Sequence, residues 1–203
     1  MAKIIELGNK VRVSDPCYGT EVWCSGVLEN VKEGAYNVEV MMSDEGMWGK
    51  RVKALAVIHT DYKGPLHFTE RADFEVGVDS GQAGIYDEEY YNQYHTVDDC
   101  NEDWYDDVCD LTNPYGTKDG KCVVSSSGFG DGSYDCFTIV ENGEIVAIMV
   151  LYIPDEEPDD DSYDDEEEED YEDEEYDDYS DYSEDELRKM GCFDNLNEEV
   201  EYE

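Results

Sequence analysis

Three short segments of this sequence combine aspartate with serine, glycine or tyrosine, residue types that can hold a ligand. They are residues 14–18 (SDPCY), 78–84 (VDSGQAG) and 128–134 (GFGDGSY). Each borders a predicted β-strand, and a rigid sheet can position side chains for binding at its strand ends. The same residues suit ordinary turns, because aspartate accepts backbone N–H bonds and glycine adopts positive φ. The candidate ligand-binding residues in and beside these segments are Asp15, Cys17, Tyr18, Asp79, Ser80, Gln82, Asp87, Asp131 and Tyr134.

The aspartates in this set could also bind a divalent cation, if the fold brings them together. Hard cations prefer carboxylate oxygens as ligands. The four positions concerned are Asp15, Asp79, Asp87 and Asp131. Their spacing is not that of an EF-hand loop, so the sequence leaves open whether a metal binds and which one. A metal-dependent hydrolase, with His95 or Tyr134 as proton carrier, is the enzymatic hypothesis that such a site would support.

Other signals of catalysis are scarce. The sequence has no P-loop and no G-x-G-x-x-G, H-E-x-x-H or G-x-S-x-G motif. It has no C-x-x-C pair, and the spacing of its later cysteines does not fit a zinc site. Cys17 is a poor candidate nucleophile, because its neighbours Asp15 and Tyr18 do not stabilise a thiolate. The sequence therefore favours a non-enzymatic protein and leaves enzymatic activity open.

Alternating apolar residues predict the β-strands that would carry these segments. Tyr36, Val38 and Val40 fall on one face of an extended chain, and residues 145–153 form a nearly continuous apolar run. Asn142-Gly143 is a typical hairpin turn before that run. Residues 22–31 also read as a strand, and the two glycines of residues 79–87 indicate either a turn with unusual backbone angles or a close backbone approach. We expect a mainly β (α+β) domain, either an antiparallel β-sandwich or a partly open barrel.

One amphipathic helix is predicted inside this β-rich region, at about residues 97–111. Its apolar positions recur at spacings of 3, 4, 4 and 3 residues, which places them on one helical face. A capping-box pattern begins at Thr96, and Asn113-Pro114 ends the helix. A shorter helical turn is predicted at residues 88–93. The apolar stripe consists of Val97, Cys100, Trp104, Val108 and Leu111.

Charge divides the chain into a domain, residues 1–154, and an acidic tail, residues 155–203. The formal net charge is −43, of which the tail carries −26 (28 acidic residues against Arg188 and Lys189) and the domain −17. A tail with so few aliphatic residues and so many mutually repelling carboxylates is predicted to be disordered. A capped start and a basic end predict one short helix within it, at residues 184–190.

Composition also indicates where the protein acts. No apolar stretch approaches the roughly 18 residues that span a membrane. The strong negative charge disfavours direct binding to nucleic acid or to an anionic membrane, because phosphates would be repelled. Seven cysteines, an odd number, without a recognisable signal peptide indicate reduced thiols in a cytoplasm. The oligomeric state stays open.

The second and third segments resemble a known family. VDSGQA followed by IYD (residues 78–87) and SGFGDGSY (residues 127–134), with the closing strand at residues 145–152, look like domain of unknown function 4241 (DUF4241). This uncharacterised family occurs in bacteria and their phages. The resemblance covers residues 70–153.

The front half, with VSDPCY at residues 13–18 and MWGKR at residues 47–51, is similar to small phage proteins that carry the same domain. The resemblance implies a β-rich fold, a shared pocket and a bacterial cytoplasm, which is the host's if a phage encodes the chain. It implies no activity for these residues, and the acidic tail lies outside it.

Two functional hypotheses follow, besides the enzymatic one. In the first, the domain is a non-enzymatic binding protein that captures a host protein or a small molecule in a pocket of Asp/Ser/Gly loops. In the second, the tail acts as a nucleic-acid mimic or a decoy for basic protein surfaces, with carboxylates in place of phosphates and aromatic rings in place of bases. The tyrosines concerned are Tyr163, Tyr171, Tyr176, Tyr179 and Tyr182.

Overall fold

Two antiparallel β-sheets make up most of the computed structural model, which describes residues 3–97, 99–111 and 113–155. In chain order the strands are β1 (Ile4–Leu7), β2 (Val11–Ser14), β3 (Gly26–Leu28), β4 (Gly34–Asp44), β5 (Lys50–His59), β6 (Glu70–Val78), β7 (Gln82–Asp87), β8 (Tyr115–Lys118), β9 (Cys122–Ser126), β10 (Gly132–Glu141) and β11 (Glu144–Leu151). The six-stranded sheet has the order β1-β4-β5-β11-β10-β6, and the five-stranded sheet has the order β3-β2-β7-β9-β8.

The main core lies between the two sheets. Side chains of a strand alternate between its faces, so each strand contributes every second residue to this core; on β1, for example, Ile5 and Leu7 are buried while Ile4 and Glu6 are exposed. The prediction of a mainly β fold is confirmed, and the face-to-face packing makes it a sandwich rather than a barrel. Core residues from both sheets include Ile5, Leu7, Val11, Val13, Val38, Leu55, Val57, Val76, Ile85, Val123, Ile148 and Val150.

Two short helices, α1 (Glu88–Tyr91) and α2 (Glu102–Leu111), form a third layer on the outer face of the five-stranded sheet. Here the side chains of the five-stranded sheet that point away from the main core pack against the apolar side of the helices. Trp104 is 2% exposed, and its indole N–H donates to the Tyr90 hydroxyl over 3.0 Å. This second core consists of Tyr86, Tyr90, Tyr91, Trp104, Val108, Cys122 and Val124.

The predicted start of the longer helix is wrong by five residues. The helix begins at Glu102, and the Asn101 side chain caps it by accepting the backbone N–H of Trp104 over 2.9 Å. Thr96, the predicted cap, instead accepts the N–H of Asp99 in a local turn. Val97, predicted to lie on the apolar stripe, is exposed. The predicted turn of helix near residue 88 is confirmed as α1.

Three strand predictions also need correction. The strand expected at residues 22–31 is reduced to β3, and residues 82–87, for which no strand was predicted, form the central strand β7. Strand β8 was not predicted. Both alternatives for the glycines of this segment are found: Gly81 lies in the turn with a φ of 71°, and Gly84 allows a close approach, because a Cβ there would lie 2.4 Å from the Tyr86 hydroxyl and 2.8 Å from the Val123 carbonyl oxygen. Glycine at this position allows close packing within a strand rather than a turn.

The predicted hairpin is confirmed. Asn142 and Gly143 join β10 to β11 with φ angles of 56° and 87°, the positive values that this two-residue turn requires. The apolar run that follows is β11, and it pairs with β5 and β10 in the interior of its sheet.

The end of the chain falls largely outside the described residues. Asp155 is the last of them, and its carboxylate pairs with the ammonium group of Lys53. The predicted disordered tail and its helix at residues 184–190 lie beyond it, so the domain boundary at residue 154 stays a prediction. Among the helices that the structure describes, none is long and apolar enough to cross a membrane.

Candidate functional site

The loops that contain the three glycine-rich segments leave the sandwich at the same end. Strand β7 begins at Gln82, opposite Ser126 at the end of β9, and β2 ends beside β7 at Ser14. Val78, the last residue of β6, pairs with Gly132 at the start of β10. A three-residue turn joins β6 directly to β7, so these strand ends are neighbours. We refer to the connections here as the first loop (residues 15–25), the second loop (79–81) and the third loop (127–131).

Asp15 ties the first loop to the second. Its side chain is 0% exposed, and its Oδ2 accepts the backbone N–H groups of Asp79 and Ser80 over 2.9 and 2.8 Å. Its Oδ1 accepts the Ser80 hydroxyl and the backbone N–H of Cys17, both over 2.8 Å. A buried carboxylate is tolerated only when donors surround it, and here four do so. Asp15 therefore positions the loops and has no free face for a ligand.

The helical layer holds the first loop from the other side. The Tyr91 hydroxyl donates to the Tyr18 carbonyl oxygen over 2.7 Å. The two ring nitrogens of His95 lie 2.8 Å from the Tyr91 carbonyl oxygen and 3.0 Å from that of Pro16. Burial lowers the pKa of His95, since an imidazolium is disfavoured away from water. His95 thus supports the backbone of the loop, and this geometry does not favour the predicted role as a proton carrier.

A groove of about 360 Å³ lies between the three loops. Each loop contributes to its wall, and strand β10 closes it. The groove brings together residues from all three segments, and it adds residues outside them, Val22, Trp23, Cys24 and Gly77. The principal lining residues are Tyr18, Val22, Trp23, Asp79, Asp131 and Ser133.

Trp23 is the most unusual residue in this groove. It is 88% exposed, and its indole ring has no stacking partner in the part of the chain that the structure describes. Burying such a ring releases a large amount of free energy, so most tryptophans in folded domains are at least partly covered. An exposed tryptophan at a groove is therefore available for contact with another molecule.

The loop that carries Trp23 is held in place by hydrogen bonds at several points. The guanidinium of Arg12 donates to the Thr20 carbonyl oxygen and the Ser25 hydroxyl, each over 3.2 Å. The backbone N–H of Gly77 donates to the Cys24 carbonyl oxygen over 2.8 Å. A Cβ at residue 77 would lie 2.5 Å from the Cys24 sulfur, so glycine is needed for this close approach. The exposure of Trp23 is thus a feature of an anchored loop.

Arg12 is itself part of a buried ion pair. Its Nε and Nη2 donate to the two carboxylate oxygens of Glu88, each over 2.9 Å, and its guanidinium lies 5.1 Å from the centre of the Tyr91 ring. Two parallel bonds of this kind fix the orientation of the guanidinium plane. Arg12 can therefore hold the first loop at a defined position on the sheet.

The groove has an acidic character. Asp79 and Asp131 are exposed, and no lysine, arginine or histidine lies among the described lining residues. Burial and the neighbouring Asp79 carboxylate raise the pKa of Tyr18 above its usual value, which keeps the phenol protonated. Within the described residues, the Asp131 carboxylate has no hydrogen-bond or ion-pair partner. The site therefore offers hydrogen-bond acceptors, one phenol and an aromatic face.

Several predicted residues lie near the groove without lining it. Ser80 is engaged with Asp15, and the amide nitrogen of Gln82 donates to the sulfur of Cys109 over 3.3 Å. The Gln82 side-chain oxygen is buried without a partner among the described residues. Cys17 is half-buried, and burial together with Asp15 raises the pKa of its thiol. This agrees with the view that Cys17 is a poor nucleophile.

Tyr134 faces away from the groove. Its hydroxyl lies 2.9 Å from the Ser127 carbonyl oxygen and 2.6 Å from that of Gly130, so it closes the third loop. Its ring meets that of Tyr152 edge-on, at 5.1 Å between centres, against the main core. The structure gives Tyr134 a role in shaping the loop that presents Asp131.

Asp87 lies at the other end of β7 from the groove, so the predicted convergence of four aspartates does not occur. Its Oδ1 caps α1 by accepting the N–H of Tyr90 over 3.0 Å, and its Oδ2 accepts the N–H of Gly8 over 2.9 Å. Asp15 is likewise used internally. Among the described residues, no three histidine, cysteine or acidic side chains are placed to hold a metal ion.

A second groove, of about 780 Å³, runs along the outer face of the six-stranded sheet. It is mainly apolar, with Met41, Met42, Phe68 and Met149 in its lining and Lys53 at its edge. It contains none of the residues that the sequence singled out. The groove at the loop end is the stronger candidate site, since it combines two exposed carboxylates, a phenol and an exposed indole ring.

Residues 8–150 match the family DUF4241, described as a protein of unknown function. The chain belongs to the DUF4241 family. The matched region is longer than the resemblance at residues 70–153, because it includes the front half of the domain. All three loops and every lining residue of the groove lie within the DUF4241 region. No curated protein and no solved structure matches the chain.

The groove residues of this DUF4241 protein were only partly predictable. Tyr18, Asp79 and Asp131 come from the three motifs, whereas Trp23 was placed in a predicted strand, where an aromatic residue is unremarkable. Its surroundings, GTEVWCSG, are rich in small and polar residues and could have indicated a loop. A tryptophan in such a loop is a signal for a contact surface.

Proposed function

We propose that this DUF4241 protein is a non-enzymatic binding protein that captures a partner at the loop end of its sandwich. The observation that carries the proposal is Trp23, 88% exposed on an anchored loop that borders the same groove as Asp131, a carboxylate with no hydrogen-bond or ion-pair partner among the described residues. Exposed aromatic residues on a rigid scaffold are typical of binding sites, because little conformational freedom is lost when they are covered. The partner is a host protein or a small molecule in a bacterial cytoplasm.

The chemistry of the groove supports binding over catalysis. General acid–base catalysis near neutral pH requires a group whose pKa lies close to the working pH. Tyr18 has a raised pKa and stays protonated, and Cys17 beside the groove is likewise a protonated thiol. Protonated phenols serve as hydrogen-bond donors, which is a recognition role.

The test is a capture experiment with the full chain. Immobilised wild-type protein is incubated with a bacterial lysate and with a metabolite extract, and retained material is identified by mass spectrometry. The same experiment with Trp23→Ala is expected to lose the specific material. Ile4→Ala removes another exposed apolar side chain, 53% exposed on β1 and outside both the groove and the loops around it, and serves as the control. If wild type and Trp23→Ala retain the same material, the proposed site is wrong.

The composition of the tail supports a second candidate function, a decoy for basic proteins. The tail carries 28 acidic residues in residues 155–203, and such charge density attracts basic surfaces non-specifically. Salt separates the two functions. Capture through the tail should disappear in about 0.5 M salt, where charges more than a few ångströms apart are screened. It should also be equal for wild type and Trp23→Ala.

A further inference from the structure

We infer that the groove receives a lysine or arginine side chain of a basic polypeptide. The inference rests on the proposed function and adds the chemical class of the ligand. Three independent features of the loop end lead to it: the charge of the groove, its aromatic wall and the apolar surface next to it.

The negative charge of the groove is complementary to a cationic ligand. Asp79 and Asp131 approach it from different loops, and no basic residue among the described lining residues neutralises them. Arg71 lies toward the other end of β6 from the groove and pairs there with Glu75 and Asp135, at Nη2 to carboxylate distances of 3.2 and 2.5 Å. A ligand cation would therefore provide the charge that the fold leaves out, and it would form charge-assisted hydrogen bonds with both carboxylates.

The aromatic wall suits a long basic side chain. Lysine and arginine carry an apolar stem and a charged end, and the stem packs on apolar surface while the end stays polar. Val22 and the Trp23 ring provide the apolar surface, and the two carboxylates provide the polar end. An indole face also attracts cations directly, more strongly than the other aromatic rings do. A neutral or anionic ligand would use only part of this arrangement.

The surroundings favour a polypeptide over a free amine. Met47 is 100% exposed, Trp48 66% and Phe129 56%, and the rings of Trp48 and Phe129 contact each other edge-on at 6.5 Å between centres. Phe129 precedes Asp131 by two residues in the third loop, so this apolar patch adjoins the groove. A polypeptide that inserts one basic side chain could cover the patch with its neighbouring residues. A small amine could not reach it.

The test uses the full chain, ¹⁵N-labelled and in 0.15 M salt, with the indole N–H signal of Trp23 as the readout. The probe is a short capped peptide with one lysine flanked by leucines, and the comparison peptide has norleucine in place of lysine. Norleucine keeps the apolar stem and removes the charge. The lysine peptide is expected to bind at least about tenfold more tightly, as one desolvated ion pair with a cation–π contact allows.

Matched double variants separate the groove from the general negative charge of the chain. Asp79→Asn with Asp131→Asn removes two charges at the groove, and Glu141→Gln with Glu144→Gln removes two exposed charges at the opposite end of the sandwich. The groove variant is expected to weaken the lysine peptide about tenfold and the control less than twofold. Equal effects would overturn the inference. A thermal melt of each variant confirms that it is folded.

Three further outcomes are decisive. If lysine and norleucine peptides bind equally, the groove is an apolar site and the inferred ligand class is wrong. If spermidine binds as tightly as the lysine peptide, the ligand is a free amine and the polypeptide assignment is wrong. If Trp23→Ala loses its partner in the lysate experiment while the lysine peptide shows no preference, the proposed function stands and only the ligand class fails.

Discussion

Asp15 and Ser80, 65 residues apart in the chain, form two hydrogen bonds with each other. The backbone N–H of Ser80 donates to Oδ2 and its hydroxyl to Oδ1, both over 2.8 Å. This contact joins the end of β2 to the turn between β6 and β7, and so joins the five-stranded sheet to the edge of the six-stranded one. Because the carboxylate is buried, the contact serves the structure of the site.

Replacing Asp15 should destabilise the domain strongly. Asp15→Ala leaves the part-buried N–H groups of Cys17, Asp79 and Ser80 without their acceptor, and an unsatisfied group costs up to about 1–3 kcal/mol where it is shielded from water. With partial relaxation and water entry, we expect a loss of about 3–5 kcal/mol in the free energy of unfolding, measured by urea denaturation. Ser80→Ala removes only one bond and should cost about 1 kcal/mol.

Asp131→Ala is the control for this measurement. It removes a carboxylate of the same kind that has no partner among the described residues, so its effect should stay within about 0.5 kcal/mol. Equal losses for the two aspartates would contradict the structural role of Asp15.

Trp23 should contribute little to stability, but it should give the tryptophan emission that acrylamide quenches most easily. Trp23→Ala removes an exposed ring, so the free energy of unfolding should change by less than about 0.5 kcal/mol. The same variant should lose the tryptophan emission that acrylamide quenches most easily, since the quencher reaches exposed rings first. An unchanged quenching curve would mean that Trp23 is covered in solution.

Trp104 should behave in the opposite way. It is 2% exposed and is surrounded by the rings of Tyr86, Tyr90, Tyr94 and His95. Trp104→Ala should cost about 3–5 kcal/mol, as large aromatic deletions in cores do. Trp104→Phe keeps most of the packing and loses the bond to the Tyr90 hydroxyl, so its loss should be smaller. Urea denaturation of both variants beside Trp23→Ala measures the contrast.

The thiol of Cys17 should react slowly with iodoacetamide. Burial and the Asp15 carboxylate raise its pKa above the usual value, so it is protonated at neutral pH and only the thiolate reacts. The alkylation rate at Cys17, followed by peptide mass spectrometry, should keep rising with pH up to at least pH 9. Cys17→Ser assigns the labelled peptide. A rate that levels off near pH 7 would indicate a low pKa and reopen the possibility of a nucleophile.

The outline of the site could be predicted because its motifs are local. Positive φ at Asn142 and Gly143, and polar turns after β2, β6 and β9, depend on residues close together in the chain. The same is true of the strands with alternating burial. These features placed Tyr18, Asp79 and Asp131 in loops, and the structure brings all three to one groove.

Which of the four aspartates are structural and which are available to a ligand could not be predicted. Asp15, Asp79, Asp87 and Asp131 look alike as residue types, and their roles depend on which distant backbone groups meet them. Asp15 accepts from the N–H groups of the second loop and Asp87 from those of Gly8 and Tyr90, whereas Asp131 has no hydrogen-bond or ion-pair partner among the described residues. Burial and partners across the fold decide whether a carboxylate is structural or available.

The exposure of Trp23 could not be predicted from the sequence either. The sequence alone determined a mainly β domain, its hairpin, its glycine-rich loops and the strongly acidic composition of residues 155–203, because periodicity, turn chemistry and charge act over short distances. Only the tertiary structure decided that Trp23 is exposed, that Gly84 lies in a strand and that Asp87 is remote from the groove. Each of these depends on contacts between residues far apart in the chain, which local patterns do not encode.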